Sequence, residues 1–231
     1  MAREDFDRDL ARLEADLVLL GGLAENAIFS ALASLESRDL ERSQSVIEED
    51  DLIDEKRIEI ENACVEMFRR QSPLAGDLRR IVAILRITNE LERMGDYAEG
   101  IAKISLLMGN ETLLEDLAQI PRMAEIAVGM LKRSLEAFLE RDPKAAEEKA
   151  IRLARDDDMV DDLYAALQAD LFEMMRQSPD NLETATYMMW VGHNLERIAD
   201  RATNIGENAV FQATGEVIQM SRKGPDRSSA G

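Results

Sequence analysis

The sequence predicts an all-α protein made of two pseudo-symmetric, antiparallel three-helix bundles with six long helices. Three observations lead to this prediction: an aliphatic composition, prolines that divide the chain into segments, and an internal repeat of about 105 residues. Hydrophobic residues make up 45% of the chain but aromatic residues only 4%. A core of small and aliphatic side chains suits helix packing better than a β-sandwich.

Prolines mark the predicted helix boundaries, because proline is tolerated in the first turn of a helix but breaks its interior. Ser72-Pro73, Asp142-Pro143 and Ser178-Pro179 each predict an N-cap followed by proline at the first helical position. Asp39 is a further N-cap candidate. With a break at Gly109-Asn110, the predicted helices span residues 3–37, 39–70, 73–108, 117–140, 143–177 and 179–220.

Apolar residues recur at alternating steps of three and four in the third and sixth segments, as expected for one narrow buried seam on each helix. The third segment has Ile84, Ile87, Leu91, Met94, Ala98, Ile101, Ser105 and Met108 at these positions. The sixth has Met188, Val191, Leu195, Ile198, Ala202, Ile205 and Ala209.

Three landmarks recur in the same order in the two halves of the chain. Residues 70–73 (RQSP) recur at 176–179, residues 91–96 (LERMGD) recur as 195–200 (LERIAD), and Asp50-x-x-Ile53-Asp54 recurs as Asp157-x-x-Val160-Asp161. Residues 1–110 and 111–220 are therefore predicted to be two copies of one three-helix unit. Residues 221–231 have little apolar surface to bury and are expected to be a disordered tail.

Charge and cysteine content exclude several classes of protein. The chain has 47 acidic against 28 basic residues, a formal charge of −19, which disfavours binding to nucleic acid or anionic membranes. One cysteine, Cys64, excludes an internal disulfide and a multi-thiolate metal site. No signal peptide and no run of 18 apolar residues is present, so we expect a cytoplasmic protein, neither secreted nor membrane-inserted.

Four pairs of carboxylates are spaced one helical turn apart, so the two members of each pair share a face and could share a cation. By helical geometry the pairs on the third and sixth helices point roughly 135° to 175° away from the seam, which predicts positions on the outside of the bundle. Alternatively, they are ordinary solvated surface charges in an acidic chain. Their repetition at matching positions favours a site. The pairs are Asp50 with Asp54, Glu92 with Asp96, Asp157 with Asp161, and Glu196 with Asp200.

The other candidates for chemistry have simpler structural interpretations. His193, the only histidine, is expected to be a packing or surface residue, and Cys64 a buried inert thiol. Arg93 and Arg197 either bind an anion or pair with the neighbouring carboxylates. No nucleophile with a base is recognisable, so no catalytic residue and no enzyme activity are predicted. We expect Met188, Met189 and Trp190 to fill the core between helices.

Three segments resemble the PhoU family: residues 71–79 (QSPLAGDLR), 90–98 (ELERMGDYA) and 194–205 (NLERIADRATNI). The resemblance covers about residues 5 to 215. It implies a cytoplasmic, commonly dimeric regulator that restrains phosphate uptake and phosphate-starvation signalling. The implied partners are the ATPase of the phosphate ABC transporter and a sensor histidine kinase. It also implies metal sites at the four carboxylate pairs, for divalent or trivalent ions such as Fe, Zn, Mn or Mg.

The second half departs from the pattern in one place. Asp180-Asn181-Leu182-Glu183 stands where the first half has residues 74–79, and it is two residues shorter and lacks the basic side chain. If that basic turn contacts a partner, only the first half retains it. Two rival functions remain: a metal-free helical scaffold, and a di-iron carboxylate or ferritin-like enzyme. The enzyme is disfavoured because such sites usually use two Glu-x-x-His motifs that point into the bundle.

Overall fold

The structure, a computed structural model, describes residues 2–71, 73–109, 117–221 and 224–226 of the 231-residue chain. These residues form six α-helices, one short 3₁₀ turn at Pro179–Asn181, and two short strands. The helices are α1 Ala2–Ser37, α2 Leu40–Gln71, α3 Gly76–Met108, α4 Gln119–Leu139, α5 Pro143–Gln177 and α6 Leu182–Thr214. The strands are β1 Gln219–Ser221 and β2 Gly224–Asp226.

The helices pack as two three-helix bundles, as the sequence predicts. α1, α2 and α3 pack against one another in the first bundle, and α4, α5 and α6 in the second. The bundles join chiefly through α3 and α6, with a smaller contact between α1 and α4. One continuous hydrophobic core therefore runs through both bundles. The domain boundary at residue 110 lies outside the described residues, so the predicted domain limits stay a prediction.

Two of the predicted helix caps are confirmed. The Asp39 carboxylate accepts a hydrogen bond from the Arg42 backbone N–H at 2.9 Å, which satisfies one of the free amides at the start of α2. Asp142 does the same for the Lys144 backbone N–H at 3.2 Å, with Pro143 in the first turn of α5.

The predicted start of the third helix at Pro73 is wrong. α3 begins at Gly76, after a turn in which Ala75 has a φ of 46° and the Asp77 N–H donates to the Leu74 carbonyl at 3.1 Å. Pro179 opens the 3₁₀ turn, and α6 follows only at Leu182. A proline can therefore open a turn that precedes a helix as well as the helix itself.

The sixth helix is also shorter than predicted. α6 ends at Thr214 because Gly215 adopts the left-handed conformation, with a φ of 83°, and donates its N–H to the Phe211 carbonyl at 2.8 Å. Glycine meets no steric penalty in this conformation, so it ends the helix where the predicted boundary was 220.

Part of the C-terminal segment is ordered, in contrast to the disorder expected from residue 221 onward. β1 and β2 pair antiparallel, with Met220 opposite Pro225. Ile218, just before the hairpin, and Met220 of β1 are buried with Ala150 and Val210 in a small apolar cluster, which fixes the chain against α5 and α6. Residues 222–223 and 227–231 lie outside the described residues, and their disorder stays a prediction.

The predicted seams are confirmed, but they are not narrow. Every predicted seam residue of α3 and α6, including Leu91 and Leu195, is at most 2% exposed. Thr88, Gly95 and Ala102 of α3 are buried as well. The reason is that α3 packs against α1, α2 and α6 together, so most of its circumference is covered.

One helix among the described residues, Glu4–Ser37, is long and apolar enough to cross a membrane by length and composition, with a mean hydropathy of 1.6 in its most apolar window. Buried helices of water-soluble cores meet the same criteria. Leu17, Leu20, Ala24 and Ile28 of this helix are fully buried inside the first bundle. Packing against α2 and α3 accounts for these buried positions, and 39% of the apolar window is buried in all.

Close packing of α2 on α3 at Gly95 gives a testable prediction. A Cβ added at Gly95 would lie 2.8 Å from Ile53 Cδ1, so Gly95→Ala should lower the free energy of unfolding by about 1–3 kcal/mol through overpacking. In the second half Ala199 and Val160 hold the equivalent positions, and both are buried. Ala199 has one side-chain carbon more than Gly95, and Val160 has one side-chain carbon fewer than Ile53.

Ile53→Val should therefore restore most of the stability in the Gly95→Ala background, although alone it should cost about 0.5–1.5 kcal/mol. Urea denaturation of the two single variants and the double variant measures this coupling. Losses that simply add in the double variant would contradict the packing argument.

Candidate functional site

The first candidate site lies in the groove between α2 and α3. It comprises Asp50 and Asp54 on α2 with Glu92 and Asp96 on α3, and we call these four residues the first acidic cluster. Gly95 allows the two helices to approach closely here, since a Cβ at this position would lie 3.0 Å from Asp50 Oδ1. The structure therefore places Asp50 against the turn of α3 that carries the other pair.

Burial and mutual repulsion shift the acidity of the first acidic cluster. Loss of hydration, followed by the charges of Glu99, Asp96, Asp54 and Glu92, raises the pKa of Asp50 to about 6. Burial is also the main cause that raises the pKa of Glu92 and of Asp96, and neighbouring carboxylates add to it. The four predicted residues are thus close enough to repel one another.

The second acidic cluster occupies the equivalent groove between α5 and α6. It comprises Asp157 and Asp161 on α5 with Glu196 and Asp200 on α6. Burial is the first cause that raises the pKa of Asp157 to about 7, and the charges of Asp200, Asp161, Asp158 and Glu196 follow. Both clusters therefore carry aspartates whose negative charge is opposed by their surroundings, and Asp50 and Asp157 are the two whose pKa rises to about 6 and about 7.

The predicted position of these carboxylates on the outside of the bundle is only partly correct. The side chains of Glu196 and Asp200 are 12% and 29% exposed, and that of Glu92 is 25% exposed. Asp96 is exposed. The carboxylates are less exposed than predicted for the same reason that the seams are broad. α3 and α6 each pack against several helices, so a side chain that points away from one neighbour enters the groove beside another.

Arginines compensate part of the negative charge. Arg197 Nε lies 2.6 Å from Glu196 Oε2, and Arg197 Nη1 lies 3.0 Å from Asp200 Oδ2. Of the two interpretations left open for Arg197, the geometry supports pairing with carboxylates. In the first cluster Arg57 lies between the two helices, with Nε 3.5 Å from Asp54 Oδ1 and 3.7 Å from Glu92 Oε1.

Sequence reasoning missed three residues of these sites. Arg57 stands three residues after Asp54, a spacing that brings side chains together on a helix and could have revealed it. Glu99 lies three residues after Asp96, and its charge raises the pKa of both Asp50 and Asp96. Asp158 lies next to Asp157 and raises the pKa of that residue.

Oxygen-only donors of this kind suit hard cations. Among the residues that the structure describes, however, no group of three or more His, Cys, Asp or Glu side chains is arranged to hold a metal ion. The clusters therefore gather negative charge without presenting a closed set of ligands. Binding would require some of these carboxylates to turn toward one another.

The remaining candidates take no part in a reactive arrangement. His193 is half-exposed, with Nδ1 3.7 Å from Glu196 Oε2, so it is a surface residue as expected. Cys64 is fully buried, and burial raises the pKa of its thiol to about 12, which keeps it protonated and unreactive. Trp190 corrects the expectation of core filling: its side chain is 49% exposed, whereas Met188 is buried.

Asp157→Asn should flatten the pH dependence of stability in metal-free protein. The pKa of Asp157 is raised from its ordinary value of 3.8 to about 7 in the folded state, so the folded protein holds a proton that the unfolded chain has already lost. The stability linked to this proton is full below about pH 4 and is lost as the pH rises through about 7. The loss should be on the order of 2 kcal/mol after allowance for solvent screening.

Urea denaturation midpoints between about pH 4 and pH 8 test this linkage. Asp51→Asn, a change of an exposed carboxylate on α2, is the matched control and should keep the wild-type slope. If the stability of Asp157→Asn depended on pH as steeply as that of the wild type, the charge of Asp157 would not be opposed by its surroundings.

Comparison with known proteins agrees with the repeat and the fold. A family model described as the PhoU domain matches the chain twice, at residues 17–105 and 120–209. The phosphate-specific transport system accessory protein PhoU homolog of Zymomonas mobilis is 37% identical over 96% of this chain and 92% of that protein. The homolog from Clostridium acetobutylicum is 33% identical over 96% of this chain and its own full length.

Solved structures show the same architecture. The crystal structure of the phosphate transport system regulatory protein PhoU from Streptococcus pneumoniae superposes with a TM-score of 0.85 at 32% identity, covering 93% of this chain and 99% of that one. The crystal structure of PhoU from Pseudomonas aeruginosa gives a TM-score of 0.84 at 28% identity, covering 91% and 99%. With two matched domains, relatives above 30% identity and the same two-bundle fold, the chain belongs to the PhoU family.

Proposed function

We propose that this chain is a cytoplasmic regulatory adaptor of a phosphate-specific transport system. It acts with the ATPase of a phosphate ABC transporter and a sensor histidine kinase to restrain phosphate uptake and starvation signalling, and it works as a homodimer without enzymatic activity of its own. The observation that carries the proposal is the paired PhoU domain of this chain. Its support is the similarity, over nearly their whole length, to relatives named as accessory proteins of the phosphate-specific transport system.

The surface supports a role in protein binding. A formal charge of −19 favours partners with basic surfaces and speeds their encounter with this chain. Large apolar side chains are also exposed on the outer face of α1, with Val18 at 44%, Leu19 at 52% and Phe29 at 65%. A contiguous patch of such side chains is typical of surfaces that another protein covers.

Affinity capture tests the adaptor function. The tagged chain should retain the transporter ATPase and the sensor kinase from lysates of its own host, and the retained amount should change between cells grown in high and in low phosphate. The tag alone is the control. Recovery of neither protein at either phosphate level would contradict the proposal.

We further infer that each acidic cluster holds its own metal ion. The first acidic cluster would use Asp50, Asp54, Glu92 and Asp96, and the second would use Asp157, Asp161, Glu196 and Asp200. The support is electrostatic: like charges at short range and partial burial raise the pKa of Asp50 and Asp157, and a bound cation would relieve that repulsion. When bound, the ion supplies neutralisation of charge and a link between two helices.

The alternative is a metal-free scaffold, favoured by the arginines that already pair with both clusters and by the lack of converging ligands in the described part of the chain. The two functions make different predictions for metal content. In the scaffold, the carboxylates would serve solubility and partner recognition alone.

Glu92→Gln with Asp96→Asn should remove about half of the bound metal, and Glu196→Gln with Asp200→Asn should remove the other half. Asp51→Asn with Glu55→Gln is a matched control, because this pair on α2 has the same spacing and is exposed. Elemental analysis after dialysis against a weak chelator measures the content, and circular dichroism checks the fold. Wild-type protein without metal, or content that neither site variant changes, would leave the scaffold as the answer.

A further inference from the structure

We propose that a cleft lined by Arg79, Arg80 and Arg141 binds one tetrahedral oxyanion in each chain, for which inorganic phosphate is the probe. The cleft has a volume of about 510 Å³ and lies where α1, the start of α3, the α4–α5 connection and the end of α6 meet. We call it the arginine cleft. This inference goes beyond the adaptor function, which requires contacts with proteins but no small ligand.

Glu14 of α1 fixes two of the three arginines side by side. Arg80 donates through Nε to Glu14 Oε1, and Arg141 donates through Nη2 to Glu14 Oε2 at 3.0 Å. The ring of Phe138 lies under the Arg80 guanidinium, 5.8 Å from its carbon. Arg80 is therefore held in place by an ion pair and a stacked ring, and a ligand would find it already ordered.

The decisive observation is that nitrogen donors in this cleft are buried and unsatisfied. Arg80 is only 8% exposed, and its Nη2 has no hydrogen-bond partner. Arg79 Nε is likewise buried without a partner. The amide oxygen of Gln212, which also lines the cleft, is a buried acceptor without a partner. Charged donors that have lost water and gained no acceptor are costly, and an oxyanion that enters the cleft would offer them more acceptor sites than this single neutral oxygen.

Backbone groups add to the same wall of the cleft. Gly76, the first residue of α3, lines the cleft, and the N-cap Ala75 offers no side-chain hydrogen bond to the first turn. The Asp77 and Arg79 amides already donate to backbone carbonyls, so the start of α3 contributes mainly the positive end of its dipole, which favours an anion. The guanidinium groups supply the donors of the kind that recognises phosphate oxygens.

Carboxylates on the wall limit which anions can enter. Asp7 and Asp77 also line the cleft, and with Glu14 they equal the three arginines in number. The attraction therefore depends on unpaired donors in a defined arrangement and not on excess positive charge. A compact anion that accepts several hydrogen bonds is favoured over a larger organic anion, and chloride offers too little to replace it.

The internal repeat provides a control within the molecule. At the corresponding turn of the second half the chain has Asp180, Asn181 and Glu183, and it has no arginine there. That half should therefore lack the site. One bound phosphate per chain is expected, in contrast to the paired acidic clusters.

Isothermal titration of metal-free protein with inorganic phosphate, at constant ionic strength in chloride, tests the proposal. We expect saturable binding of one ion per chain. Arg79→Gln and Arg141→Gln should each weaken it at least tenfold while the helical circular dichroism stays unchanged. Arg122→Gln, which alters an exposed arginine of α4 paired with Glu125, is the matched control and should bind as the wild type does.

No saturable binding by the wild type, or equal binding by all three variants, would overturn the proposal. Displacement of phosphate by chloride at equal ionic strength would also overturn it, because it would show charge screening only. The same variants can be used in the affinity capture described above. Loss of phosphate binding with partner capture retained separates this inference from the adaptor function.

Discussion

The packing of α3 against α6 is the constraint on which the rest of the molecule depends. Each of these helices contributes more buried residues than any other helix of its own bundle, and their mutual contact joins two cores into one. Glu90 of α3 adds a polar link, because its Oε2 accepts from Arg201 Nη1 at 3.2 Å and from Asn204 Nδ2 at 3.0 Å on α6. Both acidic clusters and the arginine cleft include residues of this helix pair.

The two halves solve the same packing problem with different side chains. Glycine faces isoleucine at the first acidic cluster, whereas alanine and valine hold these places at the second. At one end of the first bundle, Ser43 joins α1, α2 and α3 through hydrogen bonds to Ser34 at 2.9 Å and Ser105 at 3.0 Å. Ala209 stands where Ser105 is in the repeat, and it is buried in apolar surroundings. Carboxylates at the groove are thus retained in both halves while the core beneath them differs.

Much of the fold could be predicted because it depends on local physical chemistry. Helical periodicity identified Leu91 and Leu195 as core residues, and the caps at Asp39 and Asp142 follow from the hydrogen bonds that a helix start requires. The end of α6 depends on the left-handed conformation of Gly215. Several other glycines in the chain do not adopt that conformation, so the residue type alone could not locate the boundary.

The candidate sites were less predictable, since they depend on tertiary contacts. Spacing identified all eight carboxylates, but their direction was judged against one seam, and α3 has three neighbouring helices. The burial that raises the pKa of Asp157 to about 7 arises from this packing and has no signature in the spacing. Arg141 meets Glu14 across 127 residues of sequence, a separation at which no pattern links two residues.

A single physical argument connects the two kinds of site: a charge that the fold has partly removed from water is left without full compensation. In the acidic clusters this charge is negative, and its cost appears as the raised pKa of Asp50 and of Asp157. In the arginine cleft two charged donors, Arg79 Nε and Arg80 Nη2, lack partners, beside one neutral acceptor, Gln212 Oε1. On this basis we propose a cation for the first kind of site and an oxyanion for the second. Because α3 carries Arg79 and Arg80 near its start and Glu92 and Asp96 farther along, one helix contributes to both sites.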